Sequence, residues 1–312
     1  MAIVCLVGCG SKESLTNEYN AYSYNNSYIN TDAMSVKADY FADKLCVTNE
    51  INFGTEDTYA EVAKGAGVFN VSTGEVLYNQ NVFDTLYPAS TTKILTAYVI
   101  INDCALSDIV TISESAVDQA DDSQTCGFKA GDNVTVKDLL YGLMLHSGND
   151  AAEALAEHHS GSVEEFAKVM TKEAHKLGAT KSQFKNPSGL PDKEHYTSVY
   201  DMYLIFNEAI KNETFVEIIK AGSHNVVYTN TDGETVEKTF HNHSRYRTGS
   251  VETPNGFEII GGKTGTTYDA GYCLVLYSKN SAGQDIISIV FKADGPHNLY
   301  LLMNEILSKF AN

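Results

Sequence analysis

Hydrophobic and polar positions divide this chain into strand-like segments near its two ends and helix-like segments between them. Residues 65–70 and 75–79 are strand-like runs separated by Ser72-Thr73-Gly74, which predicts a β-hairpin. Further strands are predicted at 225–228, 235–240, 271–277 and 285–291, and a last helix is predicted at 298–310. Because both ends supply strands, the pattern predicts an α+β fold, with one sheet built from the two ends and a helical block inserted between them.

The middle of the chain, residues 88–211, is predicted to be mostly helical. Pro88 cannot donate a hydrogen bond inside a helix, so the next helix should begin near Ala89. This segment is apolar on most faces, which indicates a buried helix. Three capping boxes mark further helix starts, at Thr135–Asp138, Ser162–Glu165 and Ser198–Asp201. A short helix is also predicted at 35–45.

The charge balance narrows the classes of partner. The chain of 312 residues has 22 Lys and Arg against 40 Asp and Glu, a net charge of −18. Such a chain cannot hold nucleic acid by releasing counterions, and it is a poor match for an anionic membrane surface. With 43% hydrophobic and 20% charged residues, the chain is globular. No run approaches the roughly 20 apolar residues of a membrane-spanning helix.

The first 35 residues are expected to lie outside the catalytic fold. Residues 2–8 are apolar or small, but no basic residue precedes them, so a secretion signal is incomplete. Leu6-Val-Gly-Cys9 resembles the lipobox of bacterial lipoproteins, which makes Cys9 a candidate lipidation site. Residues 10–35 contain almost no aliphatic side chains and are expected to form a flexible tether. The alternative is that residues 2–8 begin a short buried strand.

The cysteines give no support for a metal site. None is spaced as Cys-x-x-Cys, and no pair of histidines is spaced four positions apart on a helix. Cys104 and Cys126 could pair in an exported protein, although isolated buried thiols are the preferred interpretation. No metal or other cofactor is expected.

Ser90-Thr-Thr-Lys93 places a hydroxyl and an amine three positions apart at the start of the buried helix. On a helix these side chains share one face, close enough for the amine to take the hydroxyl proton. Apolar surroundings hydrate an amine poorly and favour its neutral, basic form. Ser182 and Lys185 have the same spacing in a polar segment, and this second pair is expected to lie at the surface.

Ser147-Gly-Asn149 follows a predicted helix at 136–145. At a junction between two helices, such polar side chains can point into a cleft. Ser147 could equally be a cap or a turn residue.

Lys263-Thr-Gly265 leads through Thr266 and Thr267 into the strand at 271. Glycines beside a lysine on a strand let a ligand backbone approach and form strand-like hydrogen bonds. The lysine supplies a cation for a carboxylate. The alternative is a turn before an edge strand.

Together and in this order, the three clusters form the motif set of active-site-serine β-lactamases and penicillin-binding proteins. The neighbouring segments extend the likeness, so that the sequence from about Cys46 to the C-terminus resembles the serine D-Ala-D-Ala carboxypeptidases, the low-molecular-mass penicillin-binding proteins. The segments are Tyr87–Thr96, Leu139–Ala152, Asn186–Leu190 and Gly262–Thr267. The resemblance implies a DD-peptidase/β-lactamase-like fold: a five-stranded antiparallel sheet flanked by helices. A mainly helical lobe at about 95–215 would be inserted into a catalytic domain at 36–312.

The resemblance also implies roles for four catalytic residues. Ser90 would attack the penultimate D-Ala carbonyl of a pentapeptide stem of peptidoglycan and form an acyl-enzyme, with Lys93 as the general base. Ser147 would relay a proton to the leaving D-Ala, and Asn149 would orient the substrate and Lys93. Water would then release the tetrapeptide stem, and β-lactams would acylate Ser90 as substrate mimics.

The same resemblance assigns substrate binding to the late strand. Lys263 and Thr264 would receive the terminal carboxylate, and Gly265 and Thr266 would complete the binding strand. The backbone N–H groups of Ser90 and Thr266 would form the oxyanion hole. An enzyme of this kind acts outside the cytoplasm of a bacterium, at the outer face of the membrane through a lipid or in the cell wall.

Three alternatives remain. A class A β-lactamase activates its water with a Glu-x-x-x-Asn motif, whose one match between 153 and 215 is Glu208–Asn212, expected to be a chance match. A DD-transpeptidase or endopeptidase would use the same residues, and an inactive peptidoglycan-binding module would form no covalent adduct. Asp192 and His195 are expected to order their loop and not to take part in catalysis.

Overall fold

The structure is a computed structural model that describes residues 45–312. Three predictions fall outside these residues: the lipidation site at Cys9, the tether at 10–35 and all but the last residue of the helix at 35–45.

Nine strands occur between residues 45 and 312: β1 (Gly65–Asn70), β2 (Glu75–Gln80), β3 (Ile109–Thr111), β4 (Asn133–Thr135), β5 (Ser223–Thr229), β6 (Thr235–His241), β7 (Glu258–Thr267), β8 (Gly271–Lys279) and β9 (Asp285–Ala293). The same residues form eight α-helices: α1 (Lys93–Asp103), α2 (Glu114–Val117), α3 (Val136–Tyr141), α4 (Asn149–Ser160), α5 (Val163–Lys176), α6 (Val199–Ala209), α7 (Glu213–Lys220) and α8 (Pro296–Phe310).

The central sheet has five antiparallel strands in the order β2-β1-β9-β8-β7. It therefore combines strands from both ends of the chain, and the predicted α+β fold is confirmed. Strand β9 alternates between the two faces: Ile286 and Val290 pack with α8, whereas Ile287 and Ile289 pack against the other helices. Because both faces are covered, its apolar run is almost continuous.

The expectation of one sheet is wrong. Strands β5 and β6 belong to a second, four-stranded sheet in the order β3-β4-β5-β6. Strands β3 and β4 are three residues long and lie in the region predicted to be mostly helical. A strand this short has too few positions to show an alternating pattern, and its pairing is decided by tertiary contacts.

Helices α3, α5 and α6 begin where the capping boxes predicted. The hydroxyl groups of Thr135, Ser162 and Ser198 accept hydrogen bonds from the backbone N–H groups three positions later. These caps satisfy donors that the first turn of a helix leaves free. Helix α3 continues into a π-helical turn, Gly142–His146, which ends directly before Ser147.

Four cysteines lie in the described part of the chain, and all four are free thiols. Cys104 and Cys126 do not pair, which agrees with the interpretation as isolated thiols. Within residues 45–312, no helix is long and apolar enough to cross a membrane. No group of three or more His, Cys, Asp or Glu side chains there is arranged to hold a metal ion.

Candidate active site

Ser90 lies in a tight 3-10 turn, Ala89–Thr92, directly before α1. The turn is fixed by Thr91, whose N–H and hydroxyl donate to the carbonyl of Pro88 at 3.2 and 2.7 Å. Ala89 has a φ of 48°, in the left-handed region that costs an L-residue roughly 1–2 kcal/mol. The surrounding structure must therefore hold this turn in place.

Lys93, the first residue of α1, is fully buried, and its Nζ has three oxygen neighbours. Nζ lies 3.2 Å from Oγ of Ser90, so the spacing of three positions brings the two groups together as predicted. It also donates to Oδ1 of Asn149 and to the carbonyl of Ser188, both at 2.8 Å. The last two oxygens can only accept, so they orient the amine.

Burial lowers the pKa of Lys93 well below its usual value of 10.5, and the nearby charge of Lys263 lowers it further. Burial also lowers the pKa of Lys263, to about 7. Apolar surroundings were predicted to favour the neutral form of Lys93, which can accept a proton, and the burial of this side chain agrees with that prediction.

Ser147 lines the same cavity as Ser90. It follows the π-helical turn and has a φ of 63°, which turns the chain sharply between α3 and α4. Its Oγ accepts a hydrogen bond of 3.0 Å from Nζ of Lys263, whose second acceptor is the carbonyl of Thr264 at 2.8 Å. Asn149, the first residue of α4, faces Lys93 instead. The Ser-x-Asn cluster is thus hydrogen-bonded to both lysines, to Lys263 through Ser147 and to Lys93 through Asn149.

Strand β7 lies at the edge of the central sheet and packs directly against the Ser90 turn. A Cβ at Gly265 would lie 2.8 Å from the backbone N of Ser90, and a Cβ at Gly262 would lie 2.0 Å from the carbonyl O of Val275. The sequence pattern suggested that these glycines make room for a ligand. The structure gives a different reason, since the protein's own backbone occupies that space.

A cavity of about 220 Å³ lies at this site, and Lys93 and Asn149 are not among the residues that line it. Its lining includes Ser90, Ser147 and the predicted binding strand Lys263–Thr266, so the three sequence clusters meet in one place. No Asp or Glu is among the residues that line it in the described part of the chain. A larger groove, of about 920 Å³, runs along α5 and contains none of these groups.

The loop 186–190 supports the amine of Lys93, a role that its sequence does not predict. Gly189 has a φ of 85°, and a Cβ there would lie 1.9 Å from the carbonyl O of Ala89. Oδ1 of Asn186 accepts from the backbone N–H of Gly189 at 2.7 Å. The hydroxyl of Thr96 on α1 donates to the carbonyl of Pro187 at 2.7 Å. Asn-Pro and Ser-Gly pairs signal a turn, but no pattern tells which distant side chain that turn will contact.

His195 is buried and lies 2.8 Å, through Nε2, from the hydroxyl of Thr92. Its Nδ1 accepts from the N–H of Lys185 at 3.2 Å, so Nε2 carries the proton and donates to Thr92. Burial lowers the pKa of His195 to about 4. A neutral imidazole that ties this loop to the start of α1 fits the expected ordering role.

Ser182, from the second Ser-x-x-Lys pair, and the Glu208–Asn212 match both have structural roles. Ser182 is buried, not at the surface as predicted, because its hydroxyl donates to Oδ2 of Asp201 at 2.7 Å and pairs with Thr197. Asn212 caps α7, and Glu208 pairs with Lys211 at 2.6 Å. Neither Glu208 nor Asn212 lines the cavity around Ser90.

Comparison with known proteins agrees with this geometry. The family described as D-alanyl-D-alanine carboxypeptidase matches residues 54–295. The chain is 36% identical to D-alanyl-D-alanine carboxypeptidase DacF of Bacillus subtilis over 242 residues, which are 76% of this chain and 59% of that protein. It is 33% identical to D-alanyl-D-alanine carboxypeptidase of Streptomyces sp. K15, covering 76% of this chain and 82% of that protein.

The crystal structure of the Streptomyces K15 DD-transpeptidase has a TM-score of 0.73 at 30% identity, covering 79% of this chain and 95% of that chain. The alignment with DacF spans about three-fifths of that relative's length. The match over residues 54–295, the relatives and the shared fold show that the chain belongs to the D-alanyl-D-alanine carboxypeptidase family.

Proposed function

We propose that this chain is a D-alanyl-D-alanine carboxypeptidase, which removes the terminal D-Ala from pentapeptide stems of peptidoglycan through an acyl-enzyme on Ser90. The observation that carries the proposal is the buried amine of Lys93, 3.2 Å from Oγ of Ser90. Family membership supports it. Penicillins acylate the same serine because they resemble the D-Ala-D-Ala end.

Lys93 acts as the general base because its surroundings leave one lone pair free. A neutral amine has two N–H donors and one lone pair. Asn149 Oδ1 and the carbonyl of Ser188 take the two donors, each at 2.8 Å, so the lone pair faces Ser90. The Ser90 hydroxyl then donates its proton to Nζ as Oγ attacks the penultimate D-Ala carbonyl.

The backbone N–H groups of Ser90 and Thr266 stabilise the oxyanion that forms on this carbonyl. The close packing of Gly265 on the amide of Ser90 supports this placement, since it brings β7 next to the nucleophile. Removing one oxyanion-hole donor typically costs about 3–4 kcal/mol in activation free energy.

The terminal carboxylate of the substrate binds Lys263 and Thr264, and Ser147 passes a proton to the leaving amine. The hydrogen bond of 3.0 Å between Ser147 and Lys263 supports both roles, because it places a proton donor beside the carboxylate site. A bound carboxylate also raises the pKa of Lys263 and keeps it charged during turnover.

Lys93 then activates a water molecule, which hydrolyses the ester and releases the peptide from Ser90. The absence of a carboxylate among the described residues of the cavity disfavours the class A β-lactamase alternative, which uses a glutamate for this step. An amine could replace the water in the same geometry, and the relative from Streptomyces K15 is named both as a carboxypeptidase and as a DD-transpeptidase.

The proposed substrate places the enzyme outside the cytoplasm. A lipid attached to Cys9 of the Leu6–Cys9 sequence would hold it at the outer face of the membrane. Mass spectrometry of the mature N-terminus tests this part separately.

The test of the activity is release of D-alanine from an N-acylated peptide that ends in D-Ala-D-Ala. We expect one equivalent of D-Ala per peptide hydrolysed and none with Ser90→Ala. Labelling by penicillin without release of D-Ala would contradict the carboxypeptidase assignment and leave the fold intact. Absence of any covalent adduct would instead favour an inactive binding module.

A further inference from the structure

The catalytic cavity continues along the edge of β7 into a second cavity. The two cavities have volumes of about 220 and 260 Å³, and both are lined by Asn242, Ser244 and Gly262. The shared residues make them neighbouring parts of one cleft. The second cavity therefore lies beyond Lys263, on the side away from Thr266.

This position determines which part of a substrate could reach it. In the proposed function, the scissile carbonyl lies at Ser90 and Thr266, and the carboxylate of the leaving amine lies at Lys263. Any extension of the leaving or attacking amine beyond that carboxylate continues toward Gly262 and the second cavity. A free D-Ala has no such extension and leaves the second cavity unused.

Arg247 supplies a hydrogen-bonding cation in the second cavity. Its Nη2 donates to the carbonyl of Ile260 at 2.7 Å, and among the described residues no other acceptor takes its remaining donors. Ile260 is available because β7 has a bulge there: Ile259 pairs with Ser278 and Gly261 with Tyr277.

Arg247, held at Ile260, and Lys263 are two cationic side chains along β7, so each could take one carboxylate of a ligand that carries two. The anchor residue Ile260 and Lys263 are three positions apart on one strand, about 10 Å when extended. Glu258 also lines the second cavity, so general attraction of anions is weak there and recognition depends on the planar fork of the guanidinium.

We propose that the second cavity binds the far carboxylate of an amine that carries two carboxylates, such as the diamino-acid end of a second peptide stem, with Arg247 as its ligand. This inference rests on the proposed function and extends it to the amine side of the reaction. The amine attacks the Ser90 ester, the new C–N bond forms as the C–Oγ bond breaks, and the amine proton returns to Oγ through Lys93. In the opposite direction, Ser90 attacks such a cross-link and the second stem leaves as the amine. Water then hydrolyses the Ser90 ester.

The test compares two amines as acceptors for the full chain, with an N-acylated peptide ending in D-Ala-D-Ala as donor. D-α-Aminopimelate ends in a carboxylate where D-α-aminoheptanoate ends in a methyl group. The measured quantity is the ratio of the two transfer products formed in competition, which does not depend on the total amount of active enzyme. Arg247→Gln removes the proposed ligand, and Arg247→Lys keeps its charge without its fork.

Arg245→Gln is the matched control, because the Arg245 guanidinium lies over the ring of Tyr300, 5.8 Å from its centroid, and does not line either cavity. We expect the native chain and the control to prefer the dicarboxylate by about tenfold, the preference to disappear in Arg247→Gln and to be intermediate in Arg247→Lys.

Equal use of both amines by the native chain, or a preference that persists in Arg247→Gln, would overturn the inference. Release of D-Ala without any transfer product would also overturn it and leave the proposed function intact. No release of D-Ala by the native chain would overturn the proposed function and this inference with it.

Discussion

The carbonyl oxygen of Ser188 accepts a hydrogen bond of 2.8 Å from Nζ of Lys93, which lies 95 residues earlier in the chain. This contact takes one of the two N–H donors of a neutral amine, and Asn149 takes the other. The loop around Ser188 therefore determines where the lone pair of the proposed base points. Catalysis should depend on this loop even though no described side chain of the loop is hydrogen-bonded to Ser90.

Gly189→Ala should impair the site more than its backbone angle alone explains. The new Cβ would lie 1.9 Å from the carbonyl O of Ala89, so the loop must move away from the Ser90 turn. We expect a loss of about 3 kcal/mol in unfolding free energy and at least about a tenfold slower acylation by penicillin. Gly233→Ala is the control, since Gly233 has a similar φ of 79° and nothing within 4 Å of a Cβ. Equal effects of both variants would contradict the proposed role of the contact with Ala89.

Ser90→Ala should abolish covalent labelling by a fluorescent penicillin, because it removes the proposed nucleophile. Ser182→Ala is a matched control with the same Ser-x-x-Lys spacing. Its buried hydroxyl makes two hydrogen bonds, so the control loses about 1–2 kcal/mol of stability but should keep its label. Gel fluorescence and the mass of the labelled peptide distinguish the outcomes. A label retained by Ser90→Ala would show that another residue is the nucleophile.

The reaction should slow as the pH rises above about 7, where the pKa of Lys263 lies. The proposed carboxylate site needs the protonated amine, which is present below this pKa and is lost above it. The fall should appear in kcat/KM, which reports the free enzyme. Lys263→Arg keeps its charge at every accessible pH. We expect this variant to be less active than the native chain, but its activity should no longer fall on the alkaline side. An unchanged alkaline fall in this variant would assign it to another group.

Asn149→Asp should raise the pKa of Lys93, because a carboxylate would replace an amide oxygen 2.8 Å from Nζ. The ammonium form would then persist to higher pH, so a smaller fraction of Lys93 would be neutral near pH 7 and acylation should be slower there. Raising the pH should bring the rate of Asn149→Asp closer to that of the native chain measured at the same pH. Asn149→Ala removes the hydrogen bond without adding a charge, so its rate should fall with no rescue by alkali. Penicillin acylation rates measured across pH separate the two variants.

His195 should make the fold less stable in mild acid. Its pKa is about 4 in the folded protein against a usual 6.5, so the unfolded chain binds the extra proton between these values. Stability from this group is present above the unfolded pKa and is lost as the pH falls toward the folded one. From about pH 7 to about pH 5 the loss should be about 2 kcal/mol.

His195→Gln should remove this part of the pH dependence. Urea unfolding of both proteins at the two pH values gives the difference directly. Parallel losses of stability in the native chain and the variant would contradict the assignment to His195.

Much of the fold could be predicted because its signals are local. The hairpin of β1 and β2, the three capped helices and strands β8 and β9 each carry their own periodicity or cap. The second sheet could not, because β3 and β4 have three residues each and are stabilised by their neighbours. Ser182 illustrates the same limit. Its polar neighbours indicated the surface, but Asp201 satisfies its hydroxyl and allows it to be buried.

By itself, the sequence determined which residues are chemically able to act: Ser90 and Lys93 on one helix face, Ser147 with Asn149, and Lys263 on a strand. A helix fixes spacings of three positions, so the first pair needs no distant information. Only the tertiary structure decided that the three groups share one cavity, that Ser188 and Asn149 orient the amine, and that Arg247 lies in its extension. Those relationships join residues far apart in the chain, and packing alone brings them together.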